Sequence, residues 1–168
     1  MKRRRKIGRK IFNWFDKHPD VGVIGAMGII DLTGEGRKMT NSYGPVIKKL
    51  NARYKYNALQ HISGSRMIIR RSAYNKIGNF DQRNFHPAYS EDVDYSIRAN
   101  LAGFAIANFD LKCIHHRSST ACHVLTRDER TNLSNRNMER VLRKFAGYLN
   151  GEIKSSSQLQ CLRNIEFE

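Results

Sequence analysis

The chain has 168 residues, of which 30 are lysine or arginine and 15 are aspartate or glutamate, so its formal net charge is +15 with neutral histidines. This length fits one ordinary domain, and a hydrophobic content of 40% excludes wholesale disorder because it is enough to form a core. The excess of cations favours an anionic partner, namely phosphates, nucleic acid or an acidic membrane surface, without choosing among them.

The sequence offers no membrane span and no disulfide framework. The longest nearly apolar run, residues 21–30, is too short to cross a bilayer, so we predict no transmembrane helix. No apolar segment with a cleavage site follows the basic N-terminus, which argues against a secretory signal. The three cysteines are irregularly spaced. A reducing compartment is the simpler interpretation, and we expect a cytoplasmic protein, with peripheral attachment to a membrane as an alternative.

Residues 1–17 predict a basic amphipathic helix. The first ten residues, MKRRRKIGRK, carry seven cations and no acid, and apolar residues that include Trp14 and Phe15 follow near helical spacing. Pro19 is expected to end the helix. Three interpretations are open: a solvated basic face with its apolar stripe in the core, an interfacial helix that inserts Trp14 and Phe15 among anionic headgroups, or an arm that binds nucleic acid.

Residues 18–125 are expected to form the main domain. Residues 21–25 predict a short buried strand, residues 31–36 a turn between two extended segments, and residues 37–60 a long loop. Residues 67–70 predict a strand, and Ser72 is expected to cap a short helix that ends at Gly78. Residues 80–89 predict an aromatic loop.

The second half of the chain predicts helices separated by short strands. Ser90 predicts the N-cap of a helix over residues 91–102 that buries Val93, Ile97 and Leu101, with Gly103 as its stop. Two short strands are expected over residues 104–108 and 111–114. Residues 126–168 predict a basic tail, helical from about residue 132 to 149, whose apolar side comprises Met138, Val141, Leu142, Phe145 and Leu149. The predicted fold class is α/β, a small mixed sheet with flanking helices and a C-terminal helix.

Three acids, Glu91, Asp92 and Asp94, fall in the first turn of the predicted helix 91–102. Carboxylates there bind free N–H groups and interact favourably with the helix dipole, and Asp94 can pair with Arg98. A functional interpretation stays open beside this structural one, in which a carboxylate at the helix start acts as a general base. Metal-binding Asp-x-Asp strings normally follow a hydrophobic strand, whereas this string opens a helix.

Two further clusters bear on chemistry. Five potential ligands of soft metals lie within residues 113–123, namely Cys113, His115, His116, Cys122 and His123, but their spacing does not fit structural zinc. Histidines that help to hold Mg²⁺ or Mn²⁺ and histidines without a metal both stay open. Gly64 precedes a predicted strand and indicates either close backbone packing or the approach of a substrate.

Six short sequence motifs follow one another along the chain. Residues 62–71, ISGSRMIIRR, contain Gly-x-x-x-x-(Ile/Leu)-Arg-Arg; residues 77–81, IGNFD, match Ile-Gly-x-Phe-Asp; and residues 91–98, EDVDYSIR, match Glu-Asp-x-Asp-x-x-x-Arg. Residues 18–25, 31–36 and 115–120 contain Pro-x-Val-Gly, Asp-x-x-Gly and His-His-x-Ser-Ser sequences. From about residue 11 to residue 120 the chain therefore resembles the C-terminal half of family-2 glycosyltransferases of the GT-A fold.

The resemblance implies inverting transfer of a sugar from a nucleotide-sugar to an acceptor hydroxyl. Asp92 would be the general base, and Glu91 would shape the acceptor site. The substrate-binding set would comprise Gly64, Ser65, Arg66, Asp94 and Arg98, with Gly64 and Ser65 by the donor sugar. His116, or less favourably His115, would help to hold a divalent cation, Mn²⁺ or Mg²⁺, at the diphosphate.

The N-terminal half of the family's domain has no counterpart in this sequence. That half carries the nucleotide-binding acid and the metal-binding Asp-x-Asp. The resemblance therefore implies a partial, Rossmann-like GT-A domain, truncated or split and incomplete without its donor-binding half. Expected partners are a nucleotide-sugar donor, a carbohydrate or lipid-linked acceptor, and a second chain that carries the donor-binding half.

Two alternatives belong to other functional classes. One is a basic non-catalytic protein, built on a glycosyltransferase remnant, that binds nucleic acid, an anionic membrane or a larger assembly. Its contacts would come from residues 1–10 and from Arg127, Arg130, Arg136, Arg140 and Arg143. The other is a small zinc protein.

Overall fold

The computed structural model describes residues 2–31, 36–40, 58–109 and 119–149. Its helices are α1 (Lys2–Lys17), α2 (Arg71–Ile77), α3 (Gln82–Phe85), α4 (Glu91–Leu101), α5 (Ser119–Val124), α6 (Arg127–Lys144) and α7 (Ala146–Leu149). Its strands are β1 (Val21–Gly25), β2 (Met27–Asp31), β3 (Gly36–Thr40), β4 (Ala58–Ile62), β5 (Ile68–Ile69) and β6 (Ala105–Asn108). A 3₁₀ turn, Gly64–Arg66, separates β4 from β5.

The described strands form two three-stranded sheets. In the first, β1 pairs antiparallel with β5 and parallel with β6. In the second, β2 pairs antiparallel with both β3 and β4. The predicted α/β class, with a small mixed sheet and flanking helices, is confirmed, and the architecture is consistent with a partial Rossmann-like domain.

Strand β1 is the centre of the core. Its sequence, VGVIG, is buried along its whole length, as expected of a strand that is covered on both faces. Val23 packs in a large cluster with Val93 of α4 and Val141 of α6, whereas Ile24 packs in a smaller cluster with Phe15 of α1. Because successive strand residues point to opposite faces, the two clusters lie on opposite sides of the sheet.

Helix α1 covers the side of the sheet that Ile24 faces. Its end at Lys17 confirms the predicted helix. The ring of Trp14 lies edge-on to that of Phe109, with centroids 5.7 Å apart, and Phe15 is only 7% exposed. The interpretation in which Trp14 and Phe15 insert into a membrane is therefore wrong, because both rings pack against other residues of the protein.

The C-terminal end of α1 is capped by Arg70, which follows β5. The Arg70 guanidinium donates through Nη2 to the carbonyl oxygens of Phe15 and His18, the latter at 2.8 Å, and through Nε to that of Val21 at 2.8 Å. A cation at this position interacts favourably with the unpaired carbonyls of a helix end. The observed strand, β5, is therefore shorter than the strand predicted over residues 67–70. The side chain of Arg70 links the end of α1 to the sheet.

Three sequence predictions between residues 37 and 89 need correction. The long loop predicted over residues 37–60 is wrong at both ends, because β3 and β4 pair with β2; residues 32–35 and 41–57 lie outside the described residues. Ser72 lies inside α2, whose N-cap position is taken by the extended Arg70. The aromatic loop over residues 80–89 contains α3, which begins because the Asp81 carboxylate accepts a hydrogen bond from the Asn84 N–H.

The C-terminal helix begins earlier than predicted. Thr126 and Glu129 form a reciprocal capping box, so α6 starts at Arg127 rather than near residue 132. It ends at Lys144, and α7 follows as a separate turn. The apolar side predicted for this region is confirmed, since all of its members pack in or against the large cluster: Met138, Val141, Leu142, Phe145 and Leu149. The strand predicted over residues 111–114 lies outside the described residues.

Candidate functional site

The candidate site lies where helix α4 begins, next to the turn that follows β4. The helix confirms the predicted one, and Val93, Ile97 and Leu101 are buried as expected. Ser90 occupies the N-cap position, but its backbone is left-handed, with φ of 69°, and its side chain makes no capping hydrogen bond. The predicted capping role of Ser90 is therefore wrong, because that role requires an extended backbone at the N-cap.

Asp92 is held by backbone N–H groups from two elements. Its Oδ2 accepts a hydrogen bond from the Gly64 N–H at 2.9 Å, and its Oδ1 accepts one from the Val93 N–H at 2.9 Å. The residue is only 7% exposed, so these bonds fix a nearly buried carboxylate in one orientation. The free N–H groups and the positive dipole end of α4 favour a negative charge at this position.

The Ser96 hydroxyl links α4 to β4 through two further hydrogen bonds. The Ser96 hydroxyl donates to the Asp92 carbonyl oxygen at 2.7 Å and accepts from the Ile62 N–H at 3.0 Å. Gly64 faces both acids, since a Cβ built on it lies 3.5 Å from Asp92 Cβ and 3.8 Å from Glu91 Oε1. The sequence motifs at residues 62–64 and 91–96 are thus brought into direct contact.

His61 is a site residue that the sequence motifs did not indicate. Its side chain is fully buried, and its Nε2 lies 4.0 Å from Asp92 Oδ2. Gly28 of the neighbouring strand β2 makes room for the ring: a Cβ there would lie 2.4 Å from His61 Cε1 and 2.5 Å from Nε2. The alternation of β4 and the absence of a side chain at position 28 therefore place an imidazole beside the carboxylate.

A cavity of about 290 Å³ opens beside the two acids. Its wall is shared by β2, the start of α4 and the middle of α6, through Ile30, Tyr89, Ser90, Glu91, Asp92, Val93, Ser134, Asn135 and Met138. The wall combines apolar, hydroxyl, amide and carboxylate groups, a composition suited to a polar organic ligand. Asp92 is thus both oriented by the backbone and presented to a cavity.

Helix α6 fixes the segment that leads into α4. The Asn137 amide, which is fully buried, donates to the carbonyl oxygens of Ala88 at 2.8 Å and Tyr89 at 3.1 Å. Arg140 donates to the Asn84 carbonyl oxygen at 2.7 Å. The two Asn137 bonds satisfy the backbone carbonyls of residues 88 and 89, which lie outside any helix or strand, next to the left-handed backbone of Tyr89 and Ser90.

Asp94 and Arg98, both predicted to bind substrate, lie in a buried ion network rather than at the cavity. Asp94 is fully buried and accepts from Arg98 Nε at 2.7 Å and from Lys144 Nζ at 2.7 Å. Lys144 also donates to Asp81 at 2.6 Å. This geometry favours a structural role that joins α4 to α6, although Arg98 and Lys144 also line a second cavity of about 210 Å³.

The pKa of Asp81 reports on the same network. Burial alone would raise the pKa of this carboxyl, but hydrogen bonds from Asn84 and Lys144 and the positive charge of Lys144 outweigh burial and hold the pKa below its ordinary value. The charged form of Asp81 is therefore the one that the fold stabilises.

The other predicted site residues are placed as follows. Gly64, Ser65 and Arg66 form the 3₁₀ turn, in which the Ser65 hydroxyl lies 3.0 Å from that of Ser63. The carbonyl oxygen of Arg66 packs against Gly25, where a Cβ would lie 1.9 Å away. The predicted cation ligands His115 and His116, and Cys113, lie outside the described residues.

Within the described ranges, no group of three or more histidine, cysteine, aspartate or glutamate side chains is placed to hold a metal ion. The divalent cation therefore stays a prediction from the resemblance. In the same ranges, no helix is both long and apolar enough to cross a membrane.

Comparisons with known proteins give one partial likeness. The N-acetylglucosaminyl-diphospho-decaprenol L-rhamnosyltransferases of two strains of Mycobacterium tuberculosis, CDC 1551 / Oshkosh and ATCC 25618 / H37Rv, are each 35% identical to this chain over 74 residues. The match spans 44% of this chain but only 22% of the relative's length. No family model and no solved structure matches the chain. The likeness supports a glycosyltransferase-like region.

Proposed function

We propose that the chain carries the acceptor side of an inverting, family-2-like glycosyltransferase, in which Asp92 is the general base. The observation that carries this proposal is a nearly buried carboxylate, held by the N–H groups of Gly64 and Val93, at the wall of a 290 Å³ cavity. The partial likeness to the rhamnosyltransferases supports the reaction class.

The proposed chemistry is a single displacement. The acceptor hydroxyl lies in the cavity and gives its proton to the Asp92 carboxylate as its oxygen attacks the anomeric carbon of the donor sugar. The bond from that carbon to the diphosphate oxygen breaks, and its electron pair leaves with the nucleoside diphosphate. Attack opposite the leaving group inverts the anomeric configuration. A carboxylate offers about four lone-pair directions, so two backbone N–H bonds orient Asp92 and still permit a bond to the acceptor hydroxyl.

The neighbours of Asp92 take supporting roles in this proposal. Glu91 lines the same cavity and shapes the acceptor site. His61, 4.0 Å from Asp92 Oδ2, is a positioning residue that limits the orientations of the carboxylate from the buried side. Ser134 and Asn135 of α6 supply polar groups on the opposite wall. The expected ligands of a divalent cation, His115 and His116, lie outside the described residues.

The partners in this proposal are a nucleotide-sugar donor and a carbohydrate or lipid-linked acceptor. The relative's name specifies transfer of an L-rhamnosyl group to N-acetylglucosaminyl-diphospho-decaprenol. UDP-sugars and dTDP-sugars are the first donors to test. The donor-binding half would be supplied by a further segment or a second chain.

The test is sugar transfer by the chain, alone and together with a chain that supplies the donor half. Replacement of Asp92 by asparagine keeps the shape of the side chain but removes its basicity, so turnover should fall by about 10²-fold or more. Asp128→Asn, an exposed acid on α6, is the matched control and should leave turnover unchanged. Equal turnover by Asp92→Asn and the wild-type chain would refute the base assignment.

A non-catalytic basic protein is the alternative that the charge of +15 keeps open. Calorimetric titration with donors and acceptors separates the two. Binding of either ligand that depends on residues at the cavity wall, such as Asn135, supports the enzyme. Binding of nucleic acid that depends on the exposed arginines of α6, with no binding of donor or acceptor, supports the alternative.

A further inference from the structure

Two consecutive residues before helix α4 have left-handed backbones. Tyr89 has a φ of 76° and Ser90 has a φ of 69°. Residues other than glycine seldom adopt this conformation, and a bulky residue such as tyrosine adopts it at a cost in free energy that the surrounding structure must offset. Strained backbone of this kind is concentrated at active sites and ligand clamps, so we expect a functional role for this segment.

Hydrogen bonds from α6 and α4 hold the strained segment in place. The buried Asn137 amide donates to the carbonyl oxygens of Ala88 at 2.8 Å and Tyr89 at 3.1 Å. On the other side, the Asp94 N–H donates to the Ser90 carbonyl oxygen at 3.0 Å, as expected for the N-cap residue of a helix. The backbone of Tyr89 is therefore fixed from both directions.

The strained segment forms part of the wall of the cavity beside Asp92. Tyr89 is partly buried and lines this cavity. Met138 of α6 adds apolar surface to the wall, whereas Ser134 and Asn135 of the same helix add a hydroxyl and an amide. The left-handed conformation thus places an aromatic residue in a wall that also carries polar groups and the candidate base.

This wall suits a sugar ring. A pyranose has an apolar face of C–H groups, which packs against an aromatic ring, and hydroxyls, which bond to amide, hydroxyl and carboxylate groups. Glu91 and Asp92 both line the cavity, and their like charges disfavour an anionic ligand. A volume of about 290 Å³ is close to the lower end of the range for ligand sites, so the cavity suits one ring better than an oligosaccharide.

We infer that Tyr89 is the platform on which the acceptor stacks, and that the acceptor presents one uncharged sugar ring to the cavity rather than a lipid phosphate. Ser134 and Asn135 of α6 bind the hydroxyls of this ring. The inference rests on the proposed function for the role of the ring as acceptor. Its test measures binding alone and needs neither a donor nor turnover.

Ligand-observed NMR with the full chain tests the chemical class of the ligand. The uncharged probes are the methyl glycosides of glucose, galactose, mannose and N-acetylglucosamine, and the anionic probes are methyl glucuronide and hexyl phosphate. At least one uncharged glycoside should bind. In salt that screens the basic surface, the anions should compete for its site at least about tenfold more weakly. Failure of all four glycosides to bind, or displacement of the bound glycoside by an equal concentration of either anion, would overturn the inference.

Variants of Tyr89 test the stacking platform. Tyr89→Phe keeps the aromatic ring and should bind the glycoside nearly as well as the wild type. Tyr89→Asn removes the ring at a residue type that tolerates positive φ, and it should bind at least about fivefold more weakly. Tyr74→Asn removes an exposed tyrosine from α2, outside the cavity wall, and should leave binding unchanged. Circular dichroism checks that each variant is folded. Equal losses from Tyr89→Phe and Tyr89→Asn, or no loss from either, would overturn the assignment of the ring.

A second matched pair tests the contribution of α6. Asn135→Leu removes the amide from the cavity wall and should weaken glycoside binding by roughly threefold to tenfold, the effect of a lost hydrogen bond. Asn75→Leu makes the same change at an exposed position of α2 and should have no effect. Equal binding by the two variants would overturn the assignment of the hydroxyl contacts to α6.

The binding test and the transfer test fail independently. Glycoside binding that depends on Tyr89, together with turnover that Asp92→Asn leaves unchanged, would support the sugar site and refute the base assignment. Turnover that depends on Asp92, together with displacement of the glycoside by hexyl phosphate, would support the base assignment and overturn the inference of an uncharged acceptor.

Discussion

Replacement of Lys144 by methionine tests how helix α6 is held against helix α4. Lys144 is 2% exposed, and its ammonium lies 2.6 Å from Asp81 Oδ2 and 2.7 Å from Asp94 Oδ1. Methionine has a similar length and fills the same space, but it leaves the two carboxylates without their shared cation. The change therefore removes charge and hydrogen bonds with little loss of packing.

The expected loss of stability depends on the hydrogen bonds that Asp81 and Asp94 keep when Lys144 is replaced. Breaking a buried ion pair by removing one partner costs about 3–5 kcal/mol. We expect the lower end, about 3 kcal/mol, because Arg98 still bonds to Asp94 and Asn84 still bonds to Asp81. For a chain of this length, that loss lowers the midpoint of thermal unfolding by roughly 6–12 °C.

The neighbouring residue supplies the control. Arg143 is next to Lys144 but points away from the core: its side chain is 73% exposed and lies 4.0 Å from Glu139. Arg143→Met removes the same charge from the same helix, and an exposed pair of this kind contributes about 0.5 kcal/mol or less. Thermal unfolding followed by circular dichroism compares the two variants. Midpoints that agree within about 2 °C would refute the reasoning, because the buried network would then contribute no more than a surface pair.

Three further predictions concern backbone space and pH. Gly28→Ala should lower the unfolding midpoint and, in a transfer assay, the turnover, because its Cβ would lie 2.4 Å from the ring of His61 and displace it; an unchanged midpoint would contradict that placement. Gly103→Ala should lower the free energy of unfolding by about 1 kcal/mol because φ is +86° at this position. Gly8→Ala lies inside α1 and should raise the free energy of unfolding by about 0.5–1 kcal/mol. Chemical denaturation measures both, and changes of the same sign would count against the backbone argument. The pKa of Asp81 is lowered in the folded state, so its contribution to stability is present above the unfolded pKa of about 4 and is lost as pH falls through the folded pKa. The unfolding free energies of the wild type and of Asp81→Asn, measured as the pH is lowered, should therefore converge at low pH. A difference that stays constant with pH would exclude the ion pair.

Local sequence signals predicted the elements whose apolar residues follow a helical period or form a continuous run. Helix α4 was predicted nearly to its ends from Val93, Ile97 and Leu101, and the apolar run of β1 predicted a buried strand. Strands β3 and β4 were missed because their sequences, GRKMT and ALQHI, contain few apolar residues in alternation. They are strands because both edges of β2 are available for pairing, and a sequence window cannot show that tertiary condition.

The resemblance assigned Asp92 to the acceptor and Gly64 to the donor sugar, and the structure brings the Asp92 carboxylate and the Gly64 N–H into contact at 2.9 Å. The resemblance assigned Asp92 as the base and Asp94 as a substrate-binding residue, and the i, i+4 spacing allowed Asp94 to pair with Arg98, as it does; the sequence did not show that Asp94 is turned away from the cavity. Their environments differ because α4 turns one side chain toward the cavity and the other toward Lys144, which is 50 residues away in the chain. Residue type and spacing alone could not distinguish a candidate base from a structural ion.

Helix α6 shows why the site residues outside the motifs were overlooked. Its buried positions are Leu133, Asn137, Val141 and Lys144, a stripe at helical spacing in which two of the four residues are polar. A count of apolar residues assigns Asn137 and Lys144 to the surface, since lysine is almost never buried unless it is paired. Their burial depends on partners from distant segments: the carbonyl oxygens of residues 88 and 89 for Asn137, and two carboxylates for Lys144. Asn137 bonds to the segment that leads into α4, and Lys144 bonds to Asp94 in its first turn. The residues of α6 that position the start of α4 are therefore those whose role is set by tertiary contacts rather than by local sequence.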